Sequence, residues 1–215
     1  MSIEAVIFDL DGVICHTDQY HYQAWKTIAD RLSIPFDERI NARMRGVSRL
    51  ESLEILLEQS GKIFSQEEKE RLAEEKNQIY QSFLRKMTPA DLERETFRAL
   101  NTLREMNLKL AIGSSSRNTA LILHRLGLDG FFDAVADGTQ IKHSKPDPEV
   151  FLIAADRLGV PYENCLVIED SDAGIQAAKA GGMLALAVGA AKDNPQTDYR
   201  AEDLGDKGNV LAVFI

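Results

Sequence analysis

The sequence predicts an α/β fold, a doubly wound parallel-sheet core that carries an inserted α-helical domain. Three observations lead there. Short apolar runs alternate with segments of helical spacing, as in strand–helix–strand units. Residues 16–87 break that alternation and show helical spacing throughout. Short polar segments rich in Asp, Ser, Lys and Glu follow the core's apolar runs, and ligands bind at the carboxyl ends of strands in such sheets.

Taken in order, residues 5–10 form the first predicted strand, through Ala5-Val6-Ile7-Phe8. Asp9-Leu10-Asp11-Gly12-Val13 closes it. Side chains at i and i+2 of an extended segment face the same side, so Asp9 and Asp11 can share one site. Gly12 lets the backbone turn sharply beyond them. Two crowded carboxylates repel unless a cation or a shared proton relieves them. The pair therefore suits Mg²⁺, with one carboxylate free to attack and the other to carry a proton. A plainer reading is that the acids cap the next helix.

Within residues 16–87, helices are expected at 19–32, near 37–45, at 49–59 and over the charged stretch 66–85. Leu50, Leu53, Ile55, Leu56 and Leu57 fit a helical bundle. The chain leaves the core once and returns once, a layout that favours hinge motion. The expected division is residues 1–15 and 88–215 as the core and 16–87 as the helical domain.

The second strand is predicted at 108–113 and is followed by Ser114-Ser115-Ser116 and a helix over 118–126. A short strand is predicted at 134–136. Lys145-Pro146 precedes a helix over 148–158, which Gly159 stops. A strand at 165–168 runs into Glu169-Asp170-Ser171, then a helix over 173–180 and a strand at 184–188. The tail after Lys192 is polar and turn-rich and predicts no element.

Composition bounds the function. The 215 residues, 44% hydrophobic, support one ordinary domain and a modest insert. The net charge of −9 excludes a broad nucleic-acid-binding face. No apolar run is long enough to span a bilayer, so no membrane partner is expected. The acidic, immediately strand-like start predicts no signal peptide and a cytoplasmic protein. Cys15 and Cys165 form no metal-ligand or disulfide pattern. A monomer is the simplest expectation for a chain with a swinging domain.

Four polar segments thus follow core strands, and each has a chemical use. Ser hydroxyls and backbone N–H groups ahead of a helix hold phosphate oxygens. Lys145 supplies a compact positive charge, and Glu169 and Asp170 supply the hard oxygen ligands that Mg²⁺ takes. Each segment alone is an ordinary boundary signal; their joint order is not.

That order, Asp9-Leu10-Asp11-Gly12-Val13, Ser114, Lys145-Pro146-Asp147-Pro148 and Glu169-Asp170, resembles the haloacid dehalogenase superfamily of aspartate-nucleophile enzymes. The insert after the first motif is similar to the helical cap of its C1 class. His21, Trp25, Gly46-Val47-Ser48-Arg49, Ser52, Lys76-Asn77, Ser116 and Asn118 resemble the signature of its β-phosphoglucomutase-like branch. The likeness spans residues 3–189.

The resemblance implies a Rossmann-like core with an α-helical cap domain, and a role for each matched residue. Asp9 would become an aspartyl phosphate and Asp11 would act as general acid and base. Mg²⁺ would be held by the Asp9 carboxylate, the Asp11 carbonyl and Asp170, with Glu169 close by. Ser114, Ser115 and Lys145 would hold the transferred phosphoryl group. Arg49, Ser116 and Asn118 would hold a second phosphate. His21 and Lys76 would position Asp11 and the sugar, Trp25 would shape the wall, and Gly46, Val47, Ser48 and Ser52 would complete the cap's substrate loop.

The implied activity is a Mg²⁺-dependent isomerase of carbohydrate metabolism, a phosphoprotein in its working cycle. It would interconvert β-glucose 1-phosphate and glucose 6-phosphate through the 1,6-bisphosphate, with a small sugar phosphate as partner. A sugar-phosphate phosphatase and a catalytically idle phosphosugar-binding protein are the alternatives. Two positions depart from the family pattern: His16 stands where an acidic residue is common, and Glu93-Arg94-Glu95-Thr96 stands where relatives carry Pro-Gly.

Overall fold

A computed structural model describes residues 2–214. Among them, six parallel strands make one sheet: β1 (Ala5–Phe8), β2 (Lys109–Gly113), β3 (Ala134–Ala136), β4 (Cys165–Glu169), β5 (Leu184–Ala187) and β6 (Tyr199–Arg200). Their spatial order is β3-β2-β1-β4-β5-β6. β1 lies between β2 and β4, with Phe8 paired to Ile112 on one side and Ile168 on the other. The winding direction reverses between β1 and β4, where doubly wound sheets open a ligand crevice.

The strands read as continuous apolar runs because helices cover both faces of the sheet. Val6, Phe8, Leu110, Ile112, Leu166 and Ile168 pack on one face. Ala5, Ile7, Ala111, Cys165 and Val167 pack on the other, against Val150, Phe151 and Ile175. Alternation with period 2 sorts neighbours in each strand to opposite cores.

Four helices after β1 form the insert: α1 (Asp18–Leu32), α2 (Glu38–Ala42), α3 (Arg49–Leu57) and α4 (Gln66–Leu84). They have a core of their own, built on Trp25, Ile28, Leu53, Leu56, Leu57 and Leu72. Their starts follow local chemistry. Asp37 caps α2, and Ser48 with Glu51 and Ser65 with Glu68 form reciprocal capping boxes at α3 and α4. The remaining helices are α5 (Arg94–Glu105), α6 (Thr119–Leu126), α7 (Glu149–Leu158), α8 (Asp172–Ala180) and α9 (Lys207–Ala212). Gly159 ends α7 in the left-handed conformation.

The structure differs from the sequence reading in three places, the first being α5 (Arg94–Glu105), a helix ahead of β2 that the sequence reading did not place. β1 stops at Phe8, so Asp9 and Asp11 stand in the loop after the strand and not within it. The tail after Lys192 carries β6 and α9, too short to give a periodic signal. The two departures from the family pattern also meet: His16 Nε2 lies 3.5 Å from Glu93 Oε1, one from each linker between sheet and insert. Among the described residues no helix is long and apolar enough to cross a membrane.

Candidate active site

The loop after β1 sets the first group. The Asp9 N–H donates to the Ile168 carbonyl of β4 at 2.9 Å, which holds Asp9 against the neighbouring strand. Gly12 adopts φ +91°, and a Cβ there would collide with the Asp170 carboxylate. Only glycine lets the two acidic loops approach this closely. The Gly12 N–H donates to the Cys15 carbonyl at 2.7 Å, closing a tight turn.

Lys145 comes from the loop before α7 and is fully buried. Its Nζ donates to Asp9 Oδ1 at 2.5 Å and to Glu169 Oε1 at 2.9 Å. Burial alone would weaken its hold on a proton, yet the Asp9 and Glu169 carboxylates keep its affinity raised. Glu169 Oε2 accepts from the Ser171 N–H at 2.6 Å and the Ser171 hydroxyl at 2.9 Å. Glu169 therefore anchors both Lys145 and the start of α8.

The acids outnumber the cation. Asp9, Glu169 and Asp170 each offer a carboxylate oxygen, these atoms lie within 4.8 Å of one another, and all three residues are buried. Burial pushes the Asp9 carboxyl up, with repulsion from Glu169 and Asp11 adding to it and Lys145 opposing. Burial also raises Asp170, followed by repulsion from Glu169 and Asp9. A hard divalent cation among these oxygens would relieve both, so the donor set fits a metal that takes oxygen ligands.

Asp11 points elsewhere. Its Oδ1 accepts from the Thr17 hydroxyl and from Tyr80 OH, the latter at 3.2 Å. Burial raises its carboxyl, while the Thr17 and Tyr80 hydrogen bonds and the Lys76 charge pull it back. His21 Nε2 is 4.0 Å from the same oxygen. His21 Nδ1 is 2.8 Å from Lys76 Nζ, and its ring stacks on Tyr80. Lys76 is buried beneath Trp25 and Tyr80, 4.9 Å and 4.6 Å from their ring centres. Burial lowers its pKa to about 7, helped by the Arg49 charge.

A second cationic group forms beside Lys76. Arg49 at the start of α3 lies 3.3 Å from Glu74 of α4. Burial lowers the Arg49 pKa, and Arg117 close by lowers it further. Ser116 and Asn118 line the same region, where Asn118 Nδ2 donates to Asn77 at 3.0 Å and its Oδ1 accepts from Gln81 at 2.8 Å.

One cavity of about 940 Å³ joins the two groups. Its walls include Asp9, Asp11, His21, Trp25, Gly46, Val47, Ser48, Arg49, Ser52, Lys76, Ser114, Ser115, Ser116, Asn118 and Asp170. Lys145 and Glu169, also singled out from sequence, lie beneath the wall. Helical insert and sheet touch across the cavity: the Ser115 hydroxyl donates to the Gly46 carbonyl at 3.0 Å, and Arg45 Nη1 reaches 3.7 Å from Asp170. Gly46 has φ +76°, and a Cβ there would meet Ser171 Oγ. Sequence reasoning missed Thr17, Arg45, Tyr80 and Arg117, since each lies in a helix or loop whose pattern carries no ligand signal. Arg117 could have been found from its place between Ser116 and Asn118.

A family model described as haloacid dehalogenase-like hydrolase matches residues 3–182. The chain is 46% identical to a β-phosphoglucomutase of Bacillus subtilis (strain 168), over 87% of this chain and 84% of that protein. It is 37% identical to a phosphorylated carbohydrates phosphatase of Thermotoga maritima, over 84% and 82% respectively. The crystal structure of β-phosphoglucomutase from Clostridium difficile superposes with a TM-score of 0.88 at 38% identity, covering 94% of this chain and 92% of that one.

Proposed function

The chain belongs to the haloacid dehalogenase-like hydrolase family, and from that premise we propose that it is a Mg²⁺-dependent β-phosphoglucomutase. It interconverts β-glucose 1-phosphate and glucose 6-phosphate through β-glucose 1,6-bisphosphate and an aspartyl phosphate on Asp9. The observation that carries this reading is the pairing, in one cavity, of the Asp9–Lys145 group with a second cationic group at Arg49 and Arg117. An isomerisation through a bisphosphate needs two phosphate seats, and the guanidinium fork suits the one that does not react.

Phosphorylated Asp9 gives its phosphoryl group to the 6-hydroxyl of β-glucose 1-phosphate, and Asp11 takes the proton of that hydroxyl. The bisphosphate turns end for end. Asp9 then attacks the phosphorus at position 1, the sugar–phosphate bond breaks, and Asp11 returns its proton to the departing oxygen, leaving glucose 6-phosphate. Burial suits Asp11 to this exchange, because it raises the carboxyl towards the working pH. Lys145 holds the attacking carboxylate and stabilises charge on the phosphoryl oxygens. Ser114 and Ser115 complete that seat.

The Asp9 carboxylate, the Asp11 carbonyl and Asp170 would hold Mg²⁺, with Glu169 beside them. Bound there, the ion supplies positive charge that offsets the spreading negative charge of the transferred group. His21 and Lys76 orient Asp11 and the sugar, and Trp25 forms the wall. We read residues 16–87 as the cap, residues 1–15 and 88–215 as the core, and a single chain as the working unit.

A phosphorus NMR time course with β-glucose 1-phosphate, Mg²⁺ and a trace of bisphosphate tests the proposal. Glucose 6-phosphate is expected, with little inorganic phosphate. Phosphate appearing as fast as substrate disappears would identify a sugar-phosphate phosphatase instead.

A further inference from the structure

The insert and the sheet meet at a further polar contact, which lines the same cavity as the reacting groups. Ser144 immediately precedes Lys145. Its hydroxyl donates to Glu51 Oε2 in the first turn of α3, 93 residues away in sequence. The Ser48 N–H completes the junction, donating to Glu51 Oε2 at 2.8 Å and to Ser144 Oγ at 3.3 Å. Burial would raise the Glu51 carboxyl, but the donors Ser144 and Ser48 hold it below the usual range. The carboxylate is thus ionised and accepts a charge-assisted bond from the core. Ser144 is buried while Glu51 is exposed, so the bond runs from the core's interior to a carboxylate at the surface of the insert.

Both partners sit at strategic ends. Glu51 closes the capping box that starts α3, the helix whose first residue is Arg49. Ser144 is covalently joined to the residue that holds Asp9. The bond exists only while insert and sheet are in contact, so its free energy counts wholly towards the closed arrangement.

We infer that the Glu51–Ser144 contact is a closure latch that decides how the aspartyl phosphate divides between sugar and water. This rests on the mutase reading given above. With the latch made, the sugar hydroxyl forms the new O–P bond as the Asp9–phosphorus bond breaks, and its proton passes to Asp11. With the latch broken, water enters and takes the same place. The water oxygen bonds to phosphorus, the Asp9 carboxylate is regenerated, one proton goes to Asp11, and inorganic phosphate leaves. Glu51 and Ser144 are positioning residues in this scheme. A charge-assisted hydrogen bond made in only one of two states shifts their ratio by about tenfold or more.

The test measures inorganic phosphate and glucose 6-phosphate together, in one Mg²⁺-containing reaction, for the full chain. Ser144→Ala removes the donor, and Glu51→Gln keeps an acceptor for the helix cap while removing the charge. Ser144→Ala is expected to raise the phosphate-to-glucose 6-phosphate ratio about tenfold, and Glu51→Gln to raise it less. The double variant should match Ser144→Ala alone, because the two changes break one interaction. A ratio that stays at the wild-type value overturns the latch, whatever happens to the melting temperature or the overall rate. A wild-type protein that yields only inorganic phosphate overturns the mutase reading itself, and the latch with it. A wild type that isomerises beside variants with unaltered ratios overturns the latch alone.

Discussion

Replacing Lys76 by Met should make the ligand-free protein more stable while disabling it. Lys76 is 3% exposed and its ammonium is held near aromatic rings and a histidine nitrogen. Its pKa falls from 10.5 to about 7 in the fold, mainly through burial and then through the Arg49 charge. That difference, at about 1.4 kcal/mol for each unit, amounts to a penalty of about 5 kcal/mol for the charged form. Met fills a similar volume with no charge. It also leaves His21 Nδ1 without its donor and removes the cation–ring attraction, which together return about 3 kcal/mol. The net gain is about 2 kcal/mol, or a melting temperature higher by about 4 to 8 °C for a chain of this size.

The sign can be checked against pH. A cation whose pKa is depressed on folding binds its proton more tightly in the unfolded chain. Wild-type stability therefore rises with pH between about 7 and 10.5 through this group. Below that window the whole penalty applies; above it none remains. Thermal melts at about pH 6.5 should place Lys76→Met above the ligand-free wild type, and melts at about pH 10 should place it below, because the lost donor to His21 is no longer offset there. The reasoning fails if the variant melts lower at the acid end, or if the gap does not change with pH. Turnover of β-glucose 1-phosphate by Lys76→Met should fall at least about a hundredfold, as for loss of a buried group that meets substrate.

Other perturbations separate the remaining roles. Asp9→Asn should abolish formation of any acyl phosphate, read by acid-quenched phosphoenzyme trapping, with the far-ultraviolet circular dichroism unchanged. Asp11→Asn should retain the fold and lose about two to four orders of magnitude in rate, the usual range for a proton-transfer group. Arg49→Ala should raise the KM for the bisphosphate route far more than the KM for hydrolysis of a simple aryl monophosphate, because only the former needs the second phosphate seat. Chelation by EDTA should stop turnover and excess Mg²⁺ should restore it. Asp170→Asn should demand at least about tenfold more Mg²⁺ for half-maximal rate.

Much of the architecture was legible in the chain. Ala5-Val6-Ile7-Phe8 is a run buried on both faces, and such a run has few other places to go than a covered parallel sheet. The helical insert announced itself through the apolar residues that now form its core, Leu53, Leu56 and Leu57 among them. The acidic pair, the serines, Lys145 and Glu169-Asp170 stood out because each follows or precedes a core element where backbone groups converge. Local signals of this kind survive in one dimension because hydrophobic spacing and capping chemistry act over a few residues.

Tertiary structure alone decided what those residues face. Asp9 and Asp11 look equivalent in sequence, yet β1 ends early and the turn at Gly12 sends one to Lys145 and the other to Thr17 and Tyr80. Glu169 stands in sequence only as an acid beside Asp170, and the fold alone joins it to Lys145 and Ser171 as well as to the acidic cluster. Tyr80, Arg117 and the Glu51–Ser144 junction join segments far apart in the chain. The physical reason is range: burial and hydrogen bonding depend on distances that the fold creates between residues whose separation along the chain carries no trace of them.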